Sequence, residues 1–162
     1  MTPWELAGKS EHSQQRALFC WANCAAVYGF AIANSAEGYT KNMRELLLST
    51  GPDIVPMPAL LRLFAIHNQG HGDAIRGARA KAEGVKTGVP DVMLPVPAYE
   101  PDNSGYHRYH GLFIELKLPG YSPSAVKPEQ REWQDYLRGQ GYRAEICGGW
   151  RAAAKVIQDY MS

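Results

Sequence analysis

Two short stretches carry residue types that could do chemistry together. GVPDVML, starting at Gly88, sets Asp91 at the head of an apolar run, and GLFIELKL, starting at Gly111, embeds Glu115 and Lys117 in another. An ionised carboxylate inside an apolar strand is costly unless a positive group compensates it. Alternation along a strand turns Glu115 and Lys117 to one face and Leu116 to the other. Consecutive strands are often neighbours. If these two pair as a hairpin, the start of one meets the end of the other, and Asp91 converges on Glu115 and Lys117. Two carboxylates at one point repel unless a cation joins them, and hard oxygen ligands suit Mg2+ or Mn2+. A lysine beside such an ion can orient or deprotonate a water, or hold a phosphate oxygen. The set fits phosphodiester hydrolysis, where charge develops on the phosphoryl oxygens. By spacing alone, a Glu–Lys pair on an edge strand with Asp91 as a turn residue fits equally well, because P-D and E-x-K are short patterns.

The elements that must position these residues follow from periodicity and punctuation. Ser10 reads as the N-cap of a helix reaching about Ala33, with Ala17, Leu18, Trp21, Ala25 and Tyr28 on one face. Residues 34–58 are irregular, rich in Gly and Pro, with a short helical piece near Lys41–Leu48, and read as an insertion. Leu63–Ile66 reads as a short buried strand ended by a glycine-containing turn, and Asp73 to Glu83 as a helix. DVMLPV is a strand that Pro95 and Pro97 end or confine to an edge. Residues 98–110 read as a polar, tyrosine-rich loop. GLFIELKL is the strongest strand in the chain. Pro128 opens a helix to about Arg138, YRAEIC forms a final strand, and Trp150 to Tyr160 a final helix. This order predicts one α/β domain over residues 1–162, a mixed sheet flanked by helices.

Composition sets bounds. The 162 residues carry a formal net charge of +1, with 45% hydrophobic and 20% charged residues, so the bulk charge does not announce a nucleic-acid partner. Three cysteines, Cys20, Cys24 and Cys147, argue against a disulfide framework. No charged-then-apolar leader and no apolar run of membrane length is evident, which predicts a cytoplasmic protein without a membrane partner.

The stretch LFAIHNQGHGDAIRGARAKAEGVKTGVPDVMLP, followed by GLFIELK and then PEQREW, resembles the VRR-NUC family, the virus-type replication-repair nucleases of the PD-(D/E)xK superfamily. The similarity runs from Ser10 to the C-terminus apart from residues 34–58, with its blocks in the family's order. His67 stands where the usual IPN pattern has proline. The resemblance implies a restriction-endonuclease-like core and a metal-dependent DNA endonuclease. Its substrate would be structured DNA, such as a Holliday junction or flap, in replication, repair or recombination. By the same resemblance, Asp91 and Glu115 are metal ligands, with the carbonyl of Leu116 between Glu115 and the catalytic Lys117. Gln130 contacts the attacking water or a phosphate, and Glu11 supports the metal, directly or through water. The chain looks like the stand-alone phage type, similar to junction resolvases that work as homodimers, in a bacterial host or phage-infected cell.

Several other residues admit two readings. Arg76, Arg79, Lys81 and Lys86, with Asn68 upstream, supply local positive charge and hydrogen-bonding capacity for DNA phosphates. The same basic cluster also fits a solvated helix face. Tyr106 to His110 could grip nucleic acid or form an exposed loop. His67 with His71, and His107 with His110, have spacings a zinc site could use, while Cys20 and Cys24 fall in an apolar stripe. The rival to a nuclease is a nucleotide-binding module: LFAIHNQGHGDAIRG puts a strand, G-x-G and a helix start in a row, with Gly77 misplaced for a dinucleotide fingerprint.

Overall fold

The Ser10 hydroxyl accepts from the Ser13 backbone N–H at 3.1 Å and so caps the N-terminus of the longest helix. The computed structural model describes residues 1–39, 45, 54–67, 74–102 and 105–162. The short helical piece expected near Lys41–Leu48 falls largely outside the described residues. The helices are α1 (Pro3–Leu6), α2 (Glu11–Ala33), α3 (Ala74–Ala82), α4 (Pro128–Gly139) and α5 (Trp150–Met161). The strands are β1 (Phe64–Ala65), β2 (Val92–Leu94), β3 (Ala98–Asp102), β4 (Gly105–Tyr109), β5 (Leu112–Lys117) and β6 (Arg143–Gly148). The chain divides into two compact units. One holds Met1–Leu63, Leu116–Pro119 and Cys147–Ser162; the other holds Phe64–Glu115 and Gly120–Ile146.

In the first unit α2 is the core helix. Leu18, Trp21 and Ala25 are buried on it, and α5 brings Ala153, Ile157 and Tyr160 into the same core. The Trp21 indole N–H donates to Asn34 Oδ1 at 2.9 Å, and Asn34 Nδ2 donates to Gln158 Oε1 at 2.8 Å, fixing the end of α2 to α5. The helix breaks at Gly29 (φ 81°). A Cβ there would lie 2.4 Å from the Val55 carbonyl oxygen, so only glycine lets the returning chain lie against the helix. By length and composition α2 could cross a membrane, contrary to the expectation that no apolar run reaches that length. More than half of it is buried inside the protein, which is how the core helix of a soluble protein passes the same test. The N-terminal helix α1, capped by Thr2, went unread because four residues carry no periodicity.

In the second unit the sheet order is β1-β2-β5-β6. The first three strands are antiparallel neighbours. Strands β5 and β6 run parallel: His110 N–H donates to Gly141 O and Arg143 N–H to Gly111 O where both begin. Helix α4 makes the crossover between them, so the sheet is mixed. Phe113, Leu137 and Ala144 form the apolar cluster between this sheet and α4, with Trp133 and Tyr142 packed against it. Two expectations are corrected here. The 63–66 segment is a strand only at Phe64–Ala65, and both residues are exposed because β1 is the sheet's edge. Residues 98–110 are not a loop but a two-stranded antiparallel hairpin, Ala98 pairing with Tyr109 and Asp102 with Gly105. Tyrosine favours a pleated strand, and a two-stranded sheet tolerates Pro101 because half its backbone groups need no partner.

Candidate active site

The register of β2 and β5 bears on the two acids. Val92 pairs with Ile114, Met93 with Phe113 and Leu94 with Leu112. The ladder ends there, one residue short of Asp91, which lies on the bend ahead of β2; continued by one step, the register would set it opposite Glu115. Residues directly opposite in an antiparallel pair share a sheet face, with Cβ atoms about 4.5–5.5 Å apart. Asp91 is half-buried and Glu115 only 2% exposed. The Asp91 carbonyl accepts from the Ile66 N–H at 2.7 Å, so β1 pins the backbone of Asp91 on its other side.

Helix α4 delivers the third group. Pro128 occupies its first position, so Gln130 is the third residue. Gln130 Oε1 accepts from the Lys127 backbone N–H at 2.9 Å, which leaves the amide nitrogen facing the sheet, where it donates to Glu115 Oε1. The turn before Asp91 lies against the same end of α4. Gly88 has φ 84°, and a Cβ on it would sit 2.7 Å from the Glu129 carbonyl carbon. The Trp133 indole N–H donates to the Thr87 carbonyl at 3.0 Å. Gly88 was legible as a turn glycine. The Trp133 contact had no signal in the sequence, because nothing local links residues 46 apart.

In the first unit, Lys117 is 5% exposed, and its ammonium lies 3.5 Å from Glu11 Oε1. Glu11 opens α2, with its side chain about half exposed. The chain carries Glu115 and Lys117 two residues apart on one strand, so their side chains leave β5 on the same side. The Leu116 side chain is buried and leaves on the other.

The expected DNA contacts are placed less completely. Arg79 is exposed and pairs with Glu83, Nε to Oε1 at 3.0 Å. Lys81 and Lys86 are exposed. Arg76 lies on α3, but its side chain, like all of Asn68, is outside the described residues, as are Gly70, His71 and Gly72 of the glycine-containing stretch. On the hairpin, the Arg108 guanidinium lies 5.8 Å from the centroid of the exposed Tyr99 ring.

Among the described residues no group of three or more His, Cys, Asp and Glu could hold a metal ion. The buried Glu115 and the half-buried Asp91 supply oxygen donors of the kind a hard divalent cation takes, since such an ion keeps several waters and needs only one or two carboxylates from the protein. Among the described residues no histidine or thiolate is grouped with them, which suits a hard cation better than zinc.

A mixed sheet flanked by helices, with a β-α-β crossover after the E-x-K strand, is the architecture of a PD-(D/E)xK nuclease-type domain. A solved structure described as a VRR_NUC domain protein shares this fold with TM-score 0.59 and 23% identity, covering 96% of this chain and 91% of that one. The VRR-NUC domain family matches residues 57–150, more than half of the chain. The protein belongs to the VRR-NUC family, a nuclease-type domain whose substrate class is DNA. No curated protein matches.

Proposed function

We propose that the protein is a divalent-metal-dependent DNA endonuclease acting on branched or flap-like DNA in replication, repair or recombination. The observation that carries the reading is Gln130 donating to the buried Glu115, next to a β2–β5 register that ends one residue short of Asp91. Asp91, Glu115 and the Leu116 carbonyl would hold Mg2+ or Mn2+. When bound, the cation supplies Lewis acidity and a water of lowered pKa. Gln130 holds the Glu115 carboxylate in one orientation and leaves Asp91 to close the ligand pair. Lys117 brings a positive charge on the same side of β5 to the phosphoryl oxygens or the attacking water. Glu11 holds that ammonium in place. Arg76, Arg79, Lys81 and Lys86, with Asn68, supply phosphate contacts. A two-fold homodimer would present two such sites to two strands of a junction. Three free cysteines and a DNA substrate support action in the cytoplasm of a bacterial host or phage-infected cell.

The test is cleavage of end-labelled four-way, flap, duplex and single-stranded DNA in Mg2+, Mn2+ or EDTA. The expected result is cutting of a branched substrate at least tenfold faster than duplex, only with metal, and none by Glu115→Gln. Equal cutting by that variant overturns the assignment of the site. Equal rates on all substrates remove the selectivity for branched DNA. Sedimentation of the free protein as a monomer at micromolar concentration removes the dimer.

A further inference from the structure

Asp91 sits on a bend just before β2, and a bend does not hold a carboxylate still by itself. Three contacts in the second unit fix the backbone that carries it. Ile66 N–H holds the Asp91 carbonyl at 2.7 Å. Gly88 lies against the backbone of Glu129. The Trp133 indole N–H holds the Thr87 carbonyl at 3.0 Å. The last two tie the turn to α4, the helix whose third residue, Gln130, holds Glu115. Trp133 is anchored in turn by packing against the cluster of Phe113, Leu137 and Ala144, so its N–H is presented from a fixed ring. Groups that orient a metal ligand without touching the metal commonly set its affinity.

We infer that Trp133 is a positioning residue for the metal site: its indole N–H latches the Thr87–Asp91 turn to α4 and so sets the separation of the Asp91 and Glu115 carboxylates. This rests on the reading of those two acids as the metal ligands. It adds a residue that acts through the turn rather than as a ligand.

The experiment is equilibrium Mn2+ binding to the DNA-free protein, read from the electron paramagnetic resonance of the free ion. Thermal unfolding in EDTA and DNA binding in Ca2+ are measured alongside. Trp133→Phe keeps the packed ring and removes only the donor. It should weaken Mn2+ binding about five- to tenfold, leave DNA affinity unchanged, and recover cleavage at high Mn2+. Gly88→Ala should give the same metal defect by a different route, pushing the turn off Glu129, and it decides the matter if Trp133→Phe does not fold. Tyr136→Phe, on an exposed ring of the same helix, should bind Mn2+ as the parent does. Unchanged Mn2+ affinity in both Trp133→Phe and Gly88→Ala overturns the latch, as does a lowered melting temperature with no change in metal affinity. Asp91→Asn separates this from the parent reading: if it too leaves Mn2+ binding intact, the assignment of Asp91 as a ligand falls and the latch with it. If it abolishes binding while both latch variants bind normally, only the latch falls.

Discussion

Glu115 and Gln130 are joined by a hydrogen bond whose direction is fixed: the Gln130 carbonyl is occupied by the Lys127 N–H, so its amide nitrogen must donate to the carboxylate. The donor favours an ionised Glu115, which counters part of the penalty for burying that charge.

Glu115→Gln keeps the shape and can still accept from Gln130, but it loses the charge that holds a cation. Cleavage should fall by about a hundredfold or more, the scale of losing a metal or an electrostatic stabiliser. Asp91→Asn should behave alike. Melting in EDTA should be unchanged or higher, because a carboxylate is removed from a buried site. A clear drop in the EDTA melting temperature would show that the acids serve a structural ion pair instead.

Lys117 is more deeply buried than a lysine on a polar surface, so truncation to alanine would leave a cavity beside its lost charge. Lys117→Met keeps the volume and tests the charge alone. It should fold, bind DNA within about twofold of the parent, and lose cleavage by about a hundredfold or more. Glu11→Gln removes the partner 3.5 Å away. Since Glu11 is half exposed, stability should change by less than about 1 kcal/mol, while cleavage falls about tenfold. Equal activity in Glu11→Gln would remove this pair from the chemistry and leave it a structural contact.

Burial raises the Cys24 and Cys20 thiols above their ordinary range. It also raises the Tyr39 phenol, with the neighbouring Cys24 adding to the effect. As pH rises past the ordinary thiol value of 9.0, the unfolded chain ionises first and the folded one resists. The unfolded state then binds fewer protons, so stability falls with rising pH. The contribution is complete below that value and is lost above it. Melting temperature should hold level to pH 8 and decline above pH 9, and Cys24→Ala should flatten that decline between about pH 9 and 10. A parallel decline in both proteins would clear the thiol of any part in it.

Strand alternation alone put Glu115 and Lys117 on one side of β5, and the order of the two runs brought Asp91 to the end of that strand. The first needed only local pattern; the second assumed consecutive strands, and β2 pairs with β5 even though the β3–β4 pair lies between them in the chain. Whether a strand lies at an edge depends on what lies beside it. Phe64 therefore looked like a core residue and stands exposed on β1. The segment Ala98–Tyr109 looked polar enough for a loop, because its pairing lies within itself and leaves no apolar face to read. Gly88 was visible as a turn residue, whereas Gly29 reads straight through as helix and breaks it. Their closeness to Glu129 and Val55 was not visible, since such approaches are set by tertiary packing.

The basic helix α3 should set affinity rather than rate. Arg79 spends its charge on Glu83, one turn on, in an exposed pair worth only about 0.3–0.5 kcal/mol. A DNA phosphate can therefore take the arginine with little opposition. Arg79→Ala should weaken DNA binding and flatten the slope of log affinity against log salt by about 0.9, the value for one phosphate contact on duplex DNA. Arg76→Ala together with Arg79→Ala should flatten it by about twice that. Glu83→Gln should do the reverse of a loss, tightening binding at low salt about twofold by releasing the guanidinium. At saturating DNA all three should cleave at the parent rate, because the substitutions leave Asp91, Glu115 and Lys117 themselves in place. Titrations across a salt series decide it. An unchanged slope in the double variant would return α3 to a solvated face and move the DNA path to the hairpin, where Arg108 lies over Tyr99.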